Sequence, residues 1–280
     1  MNLNIMYCGN DKVFDGMLIS LLSIIRHTNS PVHVYTLTMD LVDLNPTYKP
    51  IPENDVLYLD KMVKETNPES FVKLIDMTEL FKGEMGNSPN LSSSYTPYCL
   101  LRMLADLIPD LPDTLLYLDT DTIIRKDISA LFEMDLTGYD YAGTLDFLGK
   151  FFIRYNYQNS GVLLLNMPQI KKSGLFEKVR QRCNTKKMAF PDQTALNFCV
   201  EKKKFLPSKY NEQRLMHKDT VIHHFCKSIR WLPFYHTVNI KPWEIEKIHS
   251  VYKIHEYDDI LDEYVERKKR RFAKNTAVYF

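Results

Sequence analysis

The sequence predicts an α/β protein with a mixed, mostly parallel sheet flanked by helices and followed by a C-terminal helical appendage. Strand-like segments alternate with helix-like segments through the first half of the chain. The 280 residues are enough to bury a sizeable core. No Gly/Ser-rich or Pro-rich stretch marks a linker, so most of the chain is expected to form one domain.

The elements follow in chain order. The apolar segment 3–7 predicts a strand, and after a Cys-Gly-Asn-Asp turn Leu18, Leu21, Leu22 and Ile25 share one face of a helix. Later segments predict strands at 32–37, 71–75, 115–119, 141–145, 161–166 and 221–225, and helices at 55–66, 97–107, 168–183 and 193–199. Because ligands bind beyond the carboxyl ends of parallel strands, the loops after the strands at 3–7 and 115–119 should face one pocket.

The second of these loops carries two carboxylates, Asp119 and Asp121. On extended backbone their side chains would project to the same face while Thr120 turns away. A divalent cation would relieve their repulsion and could hold a diphosphate leaving group. The alternative is that Asp-x-Asp is a turn in which aspartate accepts backbone hydrogen bonds.

Composition excludes several classes of function. Lys plus Arg number 36 and Asp plus Glu 35, so a net charge of +1 gives no field that would draw nucleic acid. The five cysteines are scattered and form no C-x-x-C, which argues against a disulfide framework or a zinc site. The amino terminus does not resemble a signal peptide and no apolar run is long enough to cross a bilayer, so a cytoplasmic location is expected.

Three further polar segments are candidates for the site. Asn159 precedes an apolar strand, where its amide would be free to bond a hydroxyl, although a plain turn is an alternative. Asp192 and Gln193 open a helix after Pro191, where aspartate can serve as an N-cap or contact a sugar. His224 follows another apolar strand and could complete a metal site, and Lys227 and Arg230 could neutralise phosphate.

Together these motifs resemble retaining glycosyltransferases of family 8, a GT-A fold group that includes bacterial lipopolysaccharide galactosyl- and glucosyltransferases. The resemblance runs from Asn4 to about Trp243 and implies a nucleotide-sugar donor and a divalent cation, commonly Mn²⁺. It implies Asp119, Asp121 and His224 as metal ligands, and Arg102, Asp192 and Gln193 as catalytic residues. The donor contacts that it implies are Tyr7, Cys8, Gly9, Asn10, Asp11, Val13, Arg102, Asp119, Thr120, Asp121, Asp146, Asn159, Ser160, Asp192, Gln193, Lys227 and Arg230.

Two departures from the family pattern leave alternatives open. The family's last motif is H-x-x-G-x-x-K, often followed by Pro-Trp, but counting from His224 this chain has Lys227 and Arg230 at the glycine and lysine positions. His236 precedes Lys-Pro-Trp with one residue too few, and His223 is a third candidate ligand. Val13 also replaces a tyrosine of the opening loop, which leaves stacking on the base to Phe14 or Tyr7.

The predicted domains are a GT-A domain at 1–256 and a basic, aromatic tail at 257–280. The run 267–274 carries six cations, and Tyr279 and Phe280 follow it. Such a tail could bind the inner face of an anionic plasma membrane, or it could be the solvated end of a helix.

The predicted function is transfer of a hexose from UDP-glucose or UDP-galactose to a glycan or lipid-linked acceptor, with retention. Because the Gln193 amide is a poor nucleophile, attack on the same face as the leaving group is favoured. The alternatives are a catalytically inactive sugar-nucleotide or carbohydrate-binding protein and a sugar nucleotidyltransferase. The absence of a Gly-rich basic loop after Tyr7 argues against the last.

Overall fold

A seven-stranded mixed sheet forms the centre of the protein. The computed structural model describes residues 1–93, 95–230 and 236–277. Its strands, in chain order, are β1 (Leu3–Cys8), β2 (Val32–Thr38), β3 (Phe71–Asp76), β4 (Thr114–Leu118), β5 (Thr122–Ile124), β6 (Tyr141–Leu145), β7 (Gln158–Asn166), β8 (Lys203–Phe205), β9 (Ile222–His224), β10 (Ser228–Arg230) and β11 (His236–Val238). The central sheet has the order β3-β2-β1-β4-β7-β6-β8, and β5 pairs with β9 and β10 with β11 in two small antiparallel sheets.

Helices cover both faces of the central sheet. They are α1 (Phe14–Ile25), α2 (Glu53–Thr66), α3 (Thr78–Met85), α4 (Ser129–Phe132), α5 (Gly149–Phe152), α6 (Met167–Ser173), α7 (Leu175–Thr185), α8 (Pro191–Cys199), α9 (Ile245–Lys247) and α10 (Asp258–Ala277). Pro97–Leu107 and Ser208–Tyr210 are 3₁₀ helices, and Ile248–Tyr252 forms a π-helical turn. The mixed, mostly parallel sheet confirms the predicted fold class, and a C-terminal helix is present.

The core has two layers because side chains alternate across the strands. Ile5 and Tyr7 of β1 pack on one side with α1, α2 and α10, whereas Met6 packs on the other with the 3₁₀ helix at 97–107, α7 and α8. Leu116 and Tyr117 of β4 divide in the same way.

The direction of β7 positions the site. β1, β2, β3 and β4 are parallel, but β7 runs antiparallel to β4 with Leu118 opposite Val162. Residues just before Val162 therefore lie beside those just after Leu118, and Asp119 N donates to Gly161 O at 2.7 Å. One antiparallel strand thus brings a second polar segment to the carboxyl ends of β1 and β4.

Four local predictions need correction. Residues 119–121 form a turn between β4 and β5 and not extended strand, while the strand expected at 161–166 begins at Gln158. The helix expected at 168–183 is two helices, because Gly174 has φ +65° and ends α6. The helix at 97–107 has the predicted bounds but is 3₁₀ in type. The sequence reading missed α3, β5, β8, β10 and β11.

The C-terminal helix α10 packs against α1. Tyr257, Ile260, Leu261 and Tyr264 are buried in the core layer that contains α1. In the described part of the chain, no helix is both long enough and apolar enough to cross a membrane.

Ion pairs hold much of the basic run of α10 to the rest of the protein. Arg267 contacts Glu65 at 3.3 Å and Lys268 contacts Asp15 at 2.8 Å. Arg271 pairs with Asp55 and lies over the Phe14 ring at 3.8 Å. Tyr279, Phe280 and the Lys274 side chain lie outside the described residues.

Candidate active site

A cavity of about 630 Å³ opens at the carboxyl ends of β1 and β4. It brings together most of the predicted site residues, namely Cys8, Gly9, Asn10, Val13, Arg102, Asp119, Thr120, Asp121, Asp146, Asn159, Ser160, Asp192, Gln193, His224 and Lys227. Tyr7 and Asp11 do not line it, and the Arg230 side chain lies outside the described residues. The Tyr7 hydroxyl is buried against Ser20 Oγ at 2.8 Å, and Phe14 packs on Tyr58, so neither ring is placed to stack on a ligand in the cavity.

Two carboxylates and one imidazole converge on the cavity wall. His224 Nε2 lies 3.5 Å from Asp119 Oδ2 and 3.3 Å from Asp121 Oδ1. One ligand atom from each residue lies within 4.8 Å of the other two. The turn at 119–121 therefore brings the carboxylates together although its backbone is not the extended one expected.

Small residues make this convergence possible. A Cβ atom on Gly161 would lie 2.1 Å from His224 Cε1 and 2.8 Å from Asp119 Oδ2. A Cβ atom on Gly16 in α1 would lie 2.4 Å from the backbone oxygen of Thr120. Both glycines permit a close approach that any other residue would obstruct.

The orientation of His224 suits a metal ligand. Its Nδ1 donates to Asn211 Oδ1 at 3.1 Å, and Asn211 Nδ2 in turn donates to Asn159 Oδ1 at 3.0 Å. This directs Nε2 at the two carboxylates, where a protonated Nε2 donates to Asp121 and a deprotonated one would offer its lone pair to a metal ion. His223 points elsewhere, with Nδ1 2.5 Å from the Tyr257 hydroxyl. His236 lies on β11 and belongs to no described metal-binding group. Of the three histidines considered, His224 is the one beside the carboxylates.

The charges of these groups depend on one another. Burial opposes ionisation of Asp121, but His224 and Lys241 hold the pKa of its carboxyl well below the usual range. Burial likewise opposes protonation of His224, and the adjacent Asp121 raises the pKa of the imidazole overall. Without a bound cation the site thus retains positive charge from its own side chains.

The donor set fits a divalent cation. Carboxylate oxygens suit Mg²⁺ and Mn²⁺, and imidazole suits later transition metals, so two carboxylates with one imidazole are compatible with Mn²⁺. Burial raises the pKa of Cys8 and Cys226 at the cavity wall to about 12, so their thiols stay protonated and are poor ligands.

Arg102 organises the wall behind the carboxylates. It is 3% exposed, and its Nη2 lies 3.1 Å from Asp192 Oδ2 and 3.5 Å from Asp119 Oδ1. Its Nη1 donates to Ser160 O, its Nε donates to Cys99 O, and its guanidinium stacks on Tyr117 at 3.9 Å. Since all three guanidinium nitrogens have protein partners, Arg102 positions the two aspartates.

A second network links Asp146, Asn159, Ser160 and Gln193. Asp146 Oδ2 accepts from Asn159 Nδ2 at 3.0 Å and from Gln193 Nε2 at 3.2 Å. Gln193 Oε1 accepts from the backbone N of Ser160 at 2.9 Å. Asn159 is only 6% exposed and lies within β7, so its side chain is fixed by protein partners and is not free at the rim as expected.

Lys241 is a cation of the cavity that the sequence reading did not assign to the site. Its ammonium group pairs with Asp121 Oδ2, donates to Phe225 O at 3.2 Å and lines the cavity beside Trp243. The Lys-Pro-Trp signal was visible, but it was attached to His236. The structure separates His224 from Lys241 by the strands β10 and β11.

A profile described as "Glycosyl transferase family 8" matches residues 4–247 of this chain. The chain belongs to glycosyltransferase family 8. This confirms the resemblance drawn from the motifs.

Curated relatives of this family 8 chain are also glycosyltransferases by name. A "Putative glycosyltransferase" of Haemophilus influenzae is 24% identical over 226 residues, which cover 75% of this chain and 63% of that protein. "Glycosyltransferase GlyA" of Streptococcus pneumoniae is 35% identical over 112 residues, covering 39% of this chain and 16% of that protein. The chain therefore matches less than two thirds of the length of either relative.

Solved structures show the same fold. The bifunctional glycosyltransferase WbbM superposes with a TM-score of 0.69 at 15% identity, covering 96% of this chain and 51% of that one. The galactosyltransferase LgtC, solved with donor and acceptor sugar analogs, gives 0.65 at 15% identity over 94% of this chain and 96% of its own. These matches establish the GT-A architecture.

Membership in family 8 changes how the last motif is read. The family pattern places Lys-Pro-Trp shortly after the histidine, and here Lys241, Pro242 and Trp243 follow His224 after the β10–β11 segment. The contact between Lys241 and Asp121 brings both ends of the interrupted motif to one site. A lysine followed by Pro-Trp thus lies beside Asp121, although its spacing from His224 in sequence departs from the pattern.

Proposed function

We propose that this protein transfers a hexose, glucose or galactose, from a uridine diphosphate sugar to a hydroxyl group of a glycan or glycolipid, with retention at the anomeric carbon. The observation that carries this proposal is the convergence of Asp119, Asp121 and His224 in the cavity that also holds Asp192 and Gln193. Family 8 membership supports glycosyl transfer over the nucleotidyltransferase alternative.

The metal end of the cavity would hold the diphosphate. Asp119, Asp121 and His224 would bind Mn²⁺ or another divalent cation, which supplies positive charge to the diphosphate leaving group. Lys241 lies at Asp121 and would neutralise phosphate oxygens as the glycosidic bond breaks. The loop 8–13 contributes Gly9, Asn10 and Val13 to the wall and would hold the uridine.

The sugar would lie against Asp146, Asp192 and Gln193. Arg102 acts in this proposal as a positioning residue, because its three guanidinium nitrogens already contact protein groups and two of those groups are Asp192 and Asp119. Its loss would therefore disturb both the metal ligands and the sugar pocket.

The geometry favours attack on the same face as the departing diphosphate. The Gln193 carbonyl oxygen already accepts hydrogen bonds from Ser160, and an amide is a poor nucleophile. Asp146 and Asp192 are also engaged, by Asn159 and Arg102 respectively. The acceptor hydroxyl would bond to the anomeric carbon as the bond to the diphosphate breaks, and its proton would pass to a diphosphate oxygen.

Release of UDP from UDP-glucose and UDP-galactose tests the proposal directly. We expect release that requires Mn²⁺, is abolished by EDTA and is reduced at least about a hundredfold by Asp121→Asn, because one of the ligands loses its charge. Manganese-dependent UDP binding without release, with a range of glycan and lipid acceptors present, would instead identify a binding protein.

The two lysines of the cavity offer a matched comparison. Lys241→Met removes the ammonium that contacts Asp121, and we expect a fall in turnover of about tenfold or more. Lys227→Met removes the lysine that the sequence analysis assigned to the phosphate and should have a smaller effect. The reverse order would show that the motif counted from His224 is the functional one.

The remaining alternative is the inactive binding protein. That alternative was inferred because Lys227 and Arg230 replace the glycine and lysine of the family motif. Lys241 supplies a lysine at Asp121 in spite of those replacements. All five cysteines are free, which agrees with the cytoplasmic location that forms part of this proposal.

A further inference from the structure

The rim of the cavity carries an unusual apolar surface at residues 147–155, here called the rim loop. Its first residues, Phe147 and Leu148, line the cavity, and the short helix α5 then leads the chain outward. Phe151 is 71% exposed, Phe152 74% and Tyr155 80%, and Ile153 is also exposed. Isolated apolar residues are normal on protein surfaces, but four large exposed ones within residues 151–155 indicate an interaction site.

The neighbouring strand β8 adds an exposed aromatic residue beside the rim loop. Phe205 of β8 is half-exposed and borders two grooves, one of about 250 Å³ and one of about 510 Å³. The smaller groove is lined by Lys150 and Arg214, and the larger one by Arg154 and Lys203. Each groove is therefore lined by one cation of the rim loop and one cation from elsewhere in the chain.

The cations of the rim loop have aromatic neighbours in place of acidic ones. Lys150 Nζ lies 5.0 Å from the centre of the Phe151 ring, and the Arg154 guanidinium lies 5.9 Å from that of Phe198. Neither forms an ion pair with a carboxylate within residues 1–93, 95–230 and 236–277. Burial, with the nearby Arg154, lowers the pKa of Lys203 to about 8, as expected for an ammonium group that lacks a counter-anion.

The acidic residues of the same region do not cancel this charge. Glu201, in the larger groove, is paired with Lys178 at 2.9 Å, and among the described residues Glu212 is the one acid that lines the smaller groove, against Lys150 and Arg214. By contrast, Arg267, Lys268 and Arg271 of α10 pair with acids of the protein body. Lys150 and Arg154 of the rim loop are thus available to an external partner, whereas Arg267, Lys268 and Arg271 of the tail are already paired within the protein.

This combination matches the chemistry of a bilayer interface. Aromatic and aliphatic side chains partition into the headgroup region, and flanking Lys and Arg are attracted to anionic lipids. Four large apolar side chains with an aliphatic member suit lipid better than a glycan, which requires hydrogen-bonding partners for its hydroxyls. We propose that the rim loop docks the protein on an anionic phospholipid bilayer, with Phe151, Phe152 and Tyr155 entering the headgroup region and Lys150 and Arg154 contacting lipid phosphates.

Docking by the rim loop would bring the cavity mouth to the membrane, because the loop begins inside the cavity. An acceptor hydroxyl carried on a lipid would then reach the site from the bilayer surface. That consequence rests on the proposed function, whereas the membrane contact itself does not.

Vesicle co-sedimentation tests the contact with purified full-length protein. We expect binding to phosphatidylcholine vesicles that contain phosphatidylglycerol, weaker binding to phosphatidylcholine alone, and weakening by salt. Phe151→Ser with Phe152→Ser should lower the vesicle affinity about tenfold or more, because two aromatic rings no longer enter the interface. Leu57→Ser, which removes a similarly exposed apolar side chain from α2, is the matched control and should not change it.

A charge-reversal pair separates the rim loop from the tail. Lys150→Glu with Arg154→Glu should abolish binding to anionic vesicles, and Lys269→Glu with Arg270→Glu on α10 should have a smaller effect. The larger loss in the tail variant, or a wild-type protein that binds no vesicle, would overturn the proposal.

Two further readouts keep the outcomes distinct. The thermal unfolding midpoint of each variant reports whether it folds. Rim-loop variants that bind vesicles normally but lose transfer to a soluble glycan would show that the loop stacks on the acceptor, which would also overturn the proposal. If vesicle binding depends on the rim loop but no UDP is released from any sugar donor, the membrane contact holds and the proposed enzymatic function fails.

Discussion

Single residues explain why the cavity has its shape. Gly161 admits the imidazole of His224 and the carboxylate of Asp119 into a space that a methyl group would fill. Gly161 follows Asn159 and Ser160, which the sequence analysis assigned to the donor, but its role depends on side chains that are distant in sequence.

Gly161→Ala should therefore damage the proposed metal site more than the fold. We expect Mn²⁺ affinity to fall about tenfold or more, because the added methyl displaces His224 or Asp119 from a shared ligand position. Isothermal titration with Mn²⁺ would measure this effect, with Gly83→Ala on α3 as the control. Unchanged affinity in a folded Gly161→Ala protein would argue against these ligands.

His223 predicts a dependence of stability on pH. Burial, with the neighbouring His224, lowers the pKa of His223 to about 4 from an ordinary value of 6.5. Between these values the unfolded chain binds a proton that the folded protein does not, so stability is lost as the pH falls. The contribution of this residue to the free energy of unfolding should decline by up to about 3 kcal/mol across that window.

Denaturant titrations from pH 7 to pH 4 on the wild type and on His223→Gln would isolate this contribution. Carboxylates also titrate between pH 7 and pH 4, so the difference between the wild-type and His223→Gln curves is the informative quantity. Parallel curves would show that His223 has the same pKa in the folded and unfolded protein, which would contradict the lowered value.

The residue scale also shows the limits of sequence reading. His224 was identified because it follows an apolar strand, and the structure places it beside Asp119 and Asp121. Lys241 was missed because β10 and β11 separate it from that strand. The turn at 119–121 was only the alternative to the extended backbone expected there, because Asp-x-Asp is compatible with both.

At the scale of elements, apolar segments bounded by turn signals were predictive and most short strands were not. Strands β1, β2, β3, β4, β6 and β9 were predicted to within one residue at either end, because their apolar and β-branched residues are bounded by turn signals. Three-residue strands such as β5 and β10 were missed, because they depend mainly on pairing with another strand, which local composition does not encode. A continuous helix was expected across Gly174 because a single glycine is tolerated within helices.

The break at Gly174 provides an element-scale prediction. Gly174→Ala should lower the free energy of unfolding by about 1 kcal/mol, because alanine is strained at φ +65°. Gly83→Ala makes the same chemical change inside α3, where a Cβ meets no atom within 4 Å. It should raise the free energy of unfolding by about 0.5–1 kcal/mol. Chemical denaturation of both variants would show opposite signs, and two stabilising effects would contradict the left-handed geometry at Gly174.

At the scale of the whole molecule, the question is whether α10 folds with the rest of the chain. A boundary near Tyr257 remains a prediction, and Tyr257, Ile260 and Leu261 are buried against the layer that contains α1. We expect α10 to unfold in the same cooperative transition as the sheet.

Leu261→Ala tests this expectation. It should lower the global free energy of unfolding by about 2–5 kcal/mol, because it leaves a cavity beside the core, while Asp262→Ala on the exposed side of α10 should change it by less than about 0.5 kcal/mol. Circular dichroism and core fluorescence should report one shared transition. A separate early loss of helix would identify residues 257–280 as an independent unit.

The ion pair between Lys241 and Asp121 has a thermodynamic consequence for the whole site. A cation that binds Asp121 must compete with the ammonium group, and a bound diphosphate offers that group an alternative partner. Metal and donor would therefore bind with positive cooperativity, each increasing the affinity for the other by the same factor. Lys241 would discourage the metal from occupying an empty pocket and favour it once the donor has arrived.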